Sequence, residues 1–230
     1  MPDIFSYDLI EALGQPGCPL CRALSLDDRR WVDSFWREGK QDPGARTRFF
    51  EAGGFCRHHA WLLHHLVAAE GSGAAIADVY GWLATYDLRW LDRIKTSLEG
   101  RQRRRRSAVL KRRRPCPACF ARDEAVKRKV HFFVDYLREP PVQEVYTNSQ
   151  GLCFIHLAAV VEHALAADAP ELALFLLDDW RRRLVEVRLE LAEFDRKRDY
   201  RYASEPKGAE QRSWTEAIRL YVGEDFTRIG

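Results

Sequence analysis

All six cysteines of this 230-residue chain fall into two copies of one pattern, and no other feature limits the fold as strongly. The neighbours of Cys18, Cys21, Cys56, Cys116, Cys119 and Cys153 read GCPLC, GGFCRHH, PCPAC and QGLCFIH, so each Cys-Pro-x-Cys is followed by a Gly-x-Cys-x-x-His. The offset is 98 from Cys18 to Cys116 and from Cys21 to Cys119; it is 97 from Cys56 to Cys153 and from His59 to His156. Phe49 and Tyr146 each stand seven residues before the third cysteine, and an apolar run follows that cysteine in both copies. We read this as a duplication of roughly 100 residues.

The spacing suits a metal. Two cysteines separated by two residues at a turn can aim both sulfurs at one point, and a Cys and a His three apart at a helix start face the same side. Three thiolates and one imidazole are the ligand set of a structural zinc site. Because each copy holds a complete set, the expected arrangement is two zinc ions per chain. Cys18, Cys21, Cys56 and His59 would hold one, and Cys116, Cys119, Cys153 and His156 the other. An iron–sulfur cluster with one His ligand and a redox-active or metal-free dithiol are the alternatives. Of the other histidines, His58 competes with His59 but has no equivalent in the second copy, whereas His64, His65, His131 and His163 read as surface or packing residues.

Helical periodicity runs nearly throughout, in segments 22–37, 57–69 and 74–99 of the first copy and 120–137, 154–167 and 170–198 of the second. No run alternates with the period of a strand. The expected fold is therefore all-α, two tandem metal-stapled helical units. Asp42-Pro43-Gly44 and Pro140-Pro141 read as chain breaks. Residues 1–100 form repeat 1, 101–114 a connector and 115–203 repeat 2, with 204–230 as a C-terminal capping helix.

The formal net charge of +3 hides one basic run. Residues 101–114 hold nine Arg or Lys and no acid, which leaves the other 216 residues at −6. Such a run is either a solvated connector or a site for phosphates, so Arg103, Arg104, Arg105, Arg106, Lys111, Arg112, Arg113 and Arg114 are the candidate nucleic-acid contacts. There is no apolar run long enough for a membrane span, and the acidic N-terminal stretch is unlike a signal peptide. A cytoplasmic, non-membrane protein is expected, and reduced thiols there favour metal over disulfides.

The paired motifs, GCPLC with GFCRHH and PCPAC with GLCFIH, resemble those of an uncharacterised bacterial family catalogued as a domain of unknown function. The resemblance covers most of the chain and implies a bacterial protein, without assigning an activity. No phosphate loop, nucleophile elbow, dinucleotide fingerprint or HExxH is present, and four protein ligands would leave a zinc ion no open position. The reading is a zinc-binding interaction or scaffold module, pairing with another protein or its own copy. A nucleic-acid-associated protein and a thiol-based redox or metal sensor are the alternatives. No catalytic residue is singled out.

Overall fold

In a computed structural model of the chain, residues 4–71, 73–99, 114–202 and 204–224 are described. The protein is all-α, and the described residues contain no strand. Its helices are α1 (Ile4–Leu13), α2 (Pro19–Ser34), α3 (Pro43–Glu51), α4 (Arg57–Ala69), α5 (Gly73–Glu99), α6 (Pro117–Leu137), α7 (Pro140–Asn148), α8 (Phe154–Ala166), α9 (Pro170–Arg196) and α10 (Ser213–Val222). A π-turn, Phe35–Gly39, extends α2, and a 3-10 turn, Ala209–Arg212, precedes α10.

The expected long helices are present, but the two proline sites are helix starts as well as breaks. Proline at the first helical position lacks only an N–H that would have had no partner there, so Pro43 and Pro140 open α3 and α7. Both carboxylate oxygens of Asp42 accept backbone N–H bonds, from Gly44 and Ala45 at 3.0 Å each, and cap α3.

Two compact units form, and they are not the two sequence repeats. One comprises Met1–Ser25 with Val126–Gly230, the other Leu26–Ala125. Helices α2 and α6 therefore each begin in one unit and end in the other. Both are long enough, at 16 and 21 residues, to bury side chains at both ends.

The first unit has a core built from Leu20 of α2, Phe133 and Leu137 of α6, Tyr146 of α7, Val160 of α8 and Leu176 of α9. Helix α10 packs on α8 and α9. In the second unit Phe35, Phe49 and Phe55 meet edge-on or tilted, with centroids 4.9–5.4 Å apart, above Leu63 and Val67 of α4. Phe49 and Tyr146, equivalent in sequence, are both fully buried and each anchors its own unit. Truncating a ring of this kind to Ala costs about 3–5 kcal/mol, because the surroundings collapse only partly into the space left behind.

Candidate metal centres

Each of the eight candidate ligands stands at a helix start. Cys18 and Cys116 precede Pro19 and Pro117, the first residues of α2 and α6, and their carbonyls accept the N–H bonds of Arg22 and Phe120 at 3.1 and 3.0 Å. Cys21 and Cys119 follow in the first turn. Cys56 and Cys153 are the N-caps of α4 and α8, in extended conformation, and His59 and His156 sit one turn in. Two residues ahead of each of these cysteines the chain needs a left-handed conformation, supplied by Gly54 (φ 84°) and Gly151 (φ 73°).

All eight residues gather into two groups of four, but the partners are exchanged between the copies. Cys18 and Cys21 meet Cys153 and His156 in the first unit, while Cys116 and Cys119 meet Cys56 and His59 in the second. The expectation that each copy closes its own site is corrected on this point. The physical reason is that α2 and α6, about 24 and 31 Å long, each start in one unit and end in the other, so the chain leaves its own Cys-Pro-x-Cys behind before it reaches the Gly-x-Cys-x-x-His.

The spacing within each group matches one ion. Zinc bonds of about 2.3 Å to sulfur and 2.0–2.1 Å to nitrogen, set tetrahedrally, put sulfurs about 3.8 Å apart and sulfur about 3.6 Å from nitrogen. The Cys21 and Cys153 sulfurs are 3.8 Å apart, and His156 Nδ1 lies 3.5, 3.3 and 3.3 Å from Cys18, Cys21 and Cys153. In the second group Cys56 and Cys119 are 3.6 Å apart, and His59 Nδ1 lies 3.2, 3.5 and 3.8 Å from Cys56, Cys119 and Cys116. A disulfide needs about 2.05 Å between sulfurs, and all six cysteines are free thiols.

The electrostatics of the metal-free groups favour one anionic sulfur in each, Cys116 in one and Cys153 in the other. Each group faces two helix N-termini, whose unpaired N–H groups carry partial positive charge and favour a thiolate. Burial opposes ionisation of Cys116, yet His59 and the backbone N–H groups of Cys56, Cys119 and Ala118 bring its pKa down to about 6. Burial, Cys56 and Cys116 push the Cys119 thiol up to about 12. Burial also opposes charge on His59, but Asp28, Cys116 and Cys56 lift it to about 10. In the other group, Cys18 and Cys21 hold the Cys153 thiol far below its ordinary value. Burial, with Cys153 and Cys21, drives Cys18 well above its own. His156, despite its burial, is raised to about 9 by Cys153 and Cys21. A divalent ion entering either group thus displaces protons.

Beyond the ligands the groups diverge. The other ring nitrogen of His59, Nε2, points to buried Asp28, 3.6 Å away, and Asp28 also pairs with Arg122 and lies 3.7 Å from His58 Nε2. Asp28, His58 and His59 could themselves surround a cation. The Arg122 guanidinium pairs with the same carboxylate, so a cation at the trio would have to compete with it. Under the repeat offsets, the residues corresponding to Asp28, Arg122 and His58 are Val126, Leu24 and Ile155, all apolar. Comparing the copies therefore gives no hint of this polar trio. Beside the first group lies a cavity of about 220 Å³, lined by Gly17, Cys18, Cys153, Arg183 and α10 residues Glu216 and Arg219.

The histidines without repeat partners find each other: His131 Nδ1 and His163 Nε2 are 3.1 Å apart on the surface of α6 and α8. His64 and His65 flank Trp61 on α4. Of the basic candidates, Arg103–Arg106 and Lys111–Arg113 lie outside the described residues, and Arg114 pairs with Glu51 at 2.8 Å. Among the described residues no helix is long and apolar enough to cross a membrane.

A model of a family of unknown function, DUF6062, matches residues 8–227. No curated protein and no solved structure matches the chain.

Proposed function

We propose that this chain, which belongs to the DUF6062 family, is a zinc-binding helical scaffold whose two Cys3His centres each staple one compact unit. The observation that carries this reading is the pair of four-residue groups, each with three sulfurs and one imidazole nitrogen all within 4.8 Å of one another. Soft thiolates with an imidazole in a tetrahedron suit zinc, and four protein ligands close its coordination, as in structural sites. An iron–sulfur cluster spreads its ligands over two or more irons and so needs them further apart.

The residues would divide the work as follows. Three thiolates around a divalent ion leave one net negative charge, which the helix N-termini face. The negative charge of Asp28, 3.6 Å from His59 Nε2, would favour a proton on that nitrogen and leave Nδ1 free to bind. Zinc supplies a crosslink between segments 132 positions apart at Cys21 and Cys153. A crosslink closing so long a loop stabilises by on the order of 5 kcal/mol in the chain-entropy account. A role in binding a protein partner or a second copy is supported by Trp214, Ile218 and Tyr221, all more than half exposed and spaced along one side of α10. Elemental analysis and native mass of protein purified from cells test the reading: two zinc ions per chain are expected, and a chain purified and refolded without bound metal overturns it.

The basic run favours a second reading, attraction to nucleic acid or another polyanion. Binding to a generic duplex across a salt series should then show a log-log slope of several units, flattened when Arg103–Arg106 and Lys111–Arg114 are neutralised.

A further inference from the structure

The two groups share a ligand set and differ in what covers them. Every member of the first is buried: Cys18, Cys21, Cys153 and His156 are 5%, 8%, 1% and 7% exposed. Its cover is the end of α10, a helix with no counterpart in the first sequence copy. Gly223, which ends that helix at φ 77°, lies so close that a Cβ there would collide with Cys21 Sγ and sit 3.3 Å from Cys153 Sγ. The next residue, Glu224, lies over Gly17, where a Cβ would strike its carboxylate, and is tied back to α10 by Arg219 Nε at 2.8 Å. The cavity that reaches Cys18 and Cys153 has Glu216, Arg219 and Leu220 of α10 in its wall, and both cysteines stay buried beside it.

In the second group Cys56, Cys116 and Cys119 are all partly exposed, and only His59 is fully buried. Its outer neighbours are polar: His58, with 43% of its side chain exposed, stands beside Asp28 within reach of solvent. Ligand exchange at a closed tetrahedral ion needs an incoming group to approach a sulfur, so exposure of the sulfurs governs the rate when the ligands are otherwise alike.

We propose, on the basis of the zinc reading above, that the Cys56–His59–Cys116–Cys119 group is an exchangeable site for soft divalent cations, while the Cys18–Cys21–Cys153–His156 group is sealed beneath the α10 strap. Exchange replaces one divalent ion by another on the same three thiolates and imidazole, so charge balances and no oxidant enters. Sealing ends when Gly223 and Glu224 lift away.

The test uses the full zinc-loaded chain. Cadmium chloride is added and native mass followed in time; in parallel, iodoacetamide, whose iodide a freed thiolate displaces, is applied with a chelator and the labelled cysteines are mapped. The first cadmium should enter at least about tenfold faster than the second, and Cys56, Cys116 and Cys119 should be labelled before Cys18, Cys21 and Cys153. Pairing Arg219→Ala on α10 with Glu224→Ala just beyond its end should speed labelling of the first group severalfold and leave the second unchanged. Equal rates, the reverse order, or no response of the first group to the paired substitution overturns the inference while the zinc reading stands. A chain that takes up neither zinc nor cadmium overturns both.

Discussion

Cys21 and Cys153, 132 positions apart, hold their sulfurs 3.8 Å from each other, so each centre joins the Cys-Pro-x-Cys of one copy to the Gly-x-Cys-x-x-His of the other. That exchange determines which substitutions are redundant. Cys18→Ser with Cys153→Ser disables one ion, and the chain should keep about one zinc; Cys18→Ser with Cys56→Ser disables both. In stability the first pair should be strongly non-additive and the second nearly additive, with each single change costing several kcal/mol as a lost structural ligand. One zinc retained by the second pair and none by the first would restore the arrangement within copies.

How far the sequence foretold this can be judged from the same residues. The combined membership of the two groups was legible because all six cysteines and two histidines repeat at offsets of 98 and 97, and the long helices because apolar positions recur at helical spacing. The pairing was not, since a ligand set divided between copies has the same composition as one within a copy. The lengths of α2 and α6 held the missing clue, since each carries the chain from one unit into the other. Helices α3 and α7 themselves went unread because proline stops a helix from one side and starts it from the other. Asp28 carried no signal, with Val126 at its counterpart position.

Asp28 makes the two centres separable by mutation. Its carboxylate faces His59 Nε2 at 3.6 Å and pairs with Arg122, whereas no acid stands at the corresponding position of the other copy. Asp28→Asn should weaken zinc at the second group by about 10–100-fold, the usual effect of losing an outer partner of a ligating histidine. The first group should keep its affinity. Competition titration against a chromophoric chelator, with two sites resolved, checks this; equal weakening of both would show that Asp28 acts on the whole fold instead.

Glycine substitutions separate backbone strain from packing. At Gly151 the backbone is left-handed and a Cβ would collide with Arg183, which bonds Asp179 and the Ser149 carbonyl at 2.7 and 2.8 Å. Gly151→Ala should cost at least about 1–2 kcal/mol for the conformation alone. Gly81, exposed within α5, has nothing within 4 Å of an added Cβ, so Gly81→Ala should stabilise by about 0.5–1 kcal/mol. Thermal melts of the zinc-loaded variants should move in opposite directions. A neutral Gly151→Ala would mean that the entry to α8 does not need the left-handed turn.

Proton linkage supplies the last prediction. Without metal, His59 has a pKa of about 10 and Cys119 about 12, so both hold protons at pH 7, while Cys116, near 6, is mostly thiolate. His156, near 9, is protonated as well. Zinc needs neutral imidazole and ionised sulfur, so binding at the second group releases at least the protons of His59 and Cys119. Affinity therefore rises with pH: each displaced proton contributes about tenfold per pH unit, until pH passes the metal-free pKa of the group that held it. Below about pH 6, Cys116 adds a third proton and the slope steepens. Calorimetric zinc titrations in buffers of different ionisation enthalpy, between pH 6 and 8, should give two or more protons released at that group. A pH-independent affinity with no proton release would mean that the ion is not held by these thiols and imidazoles.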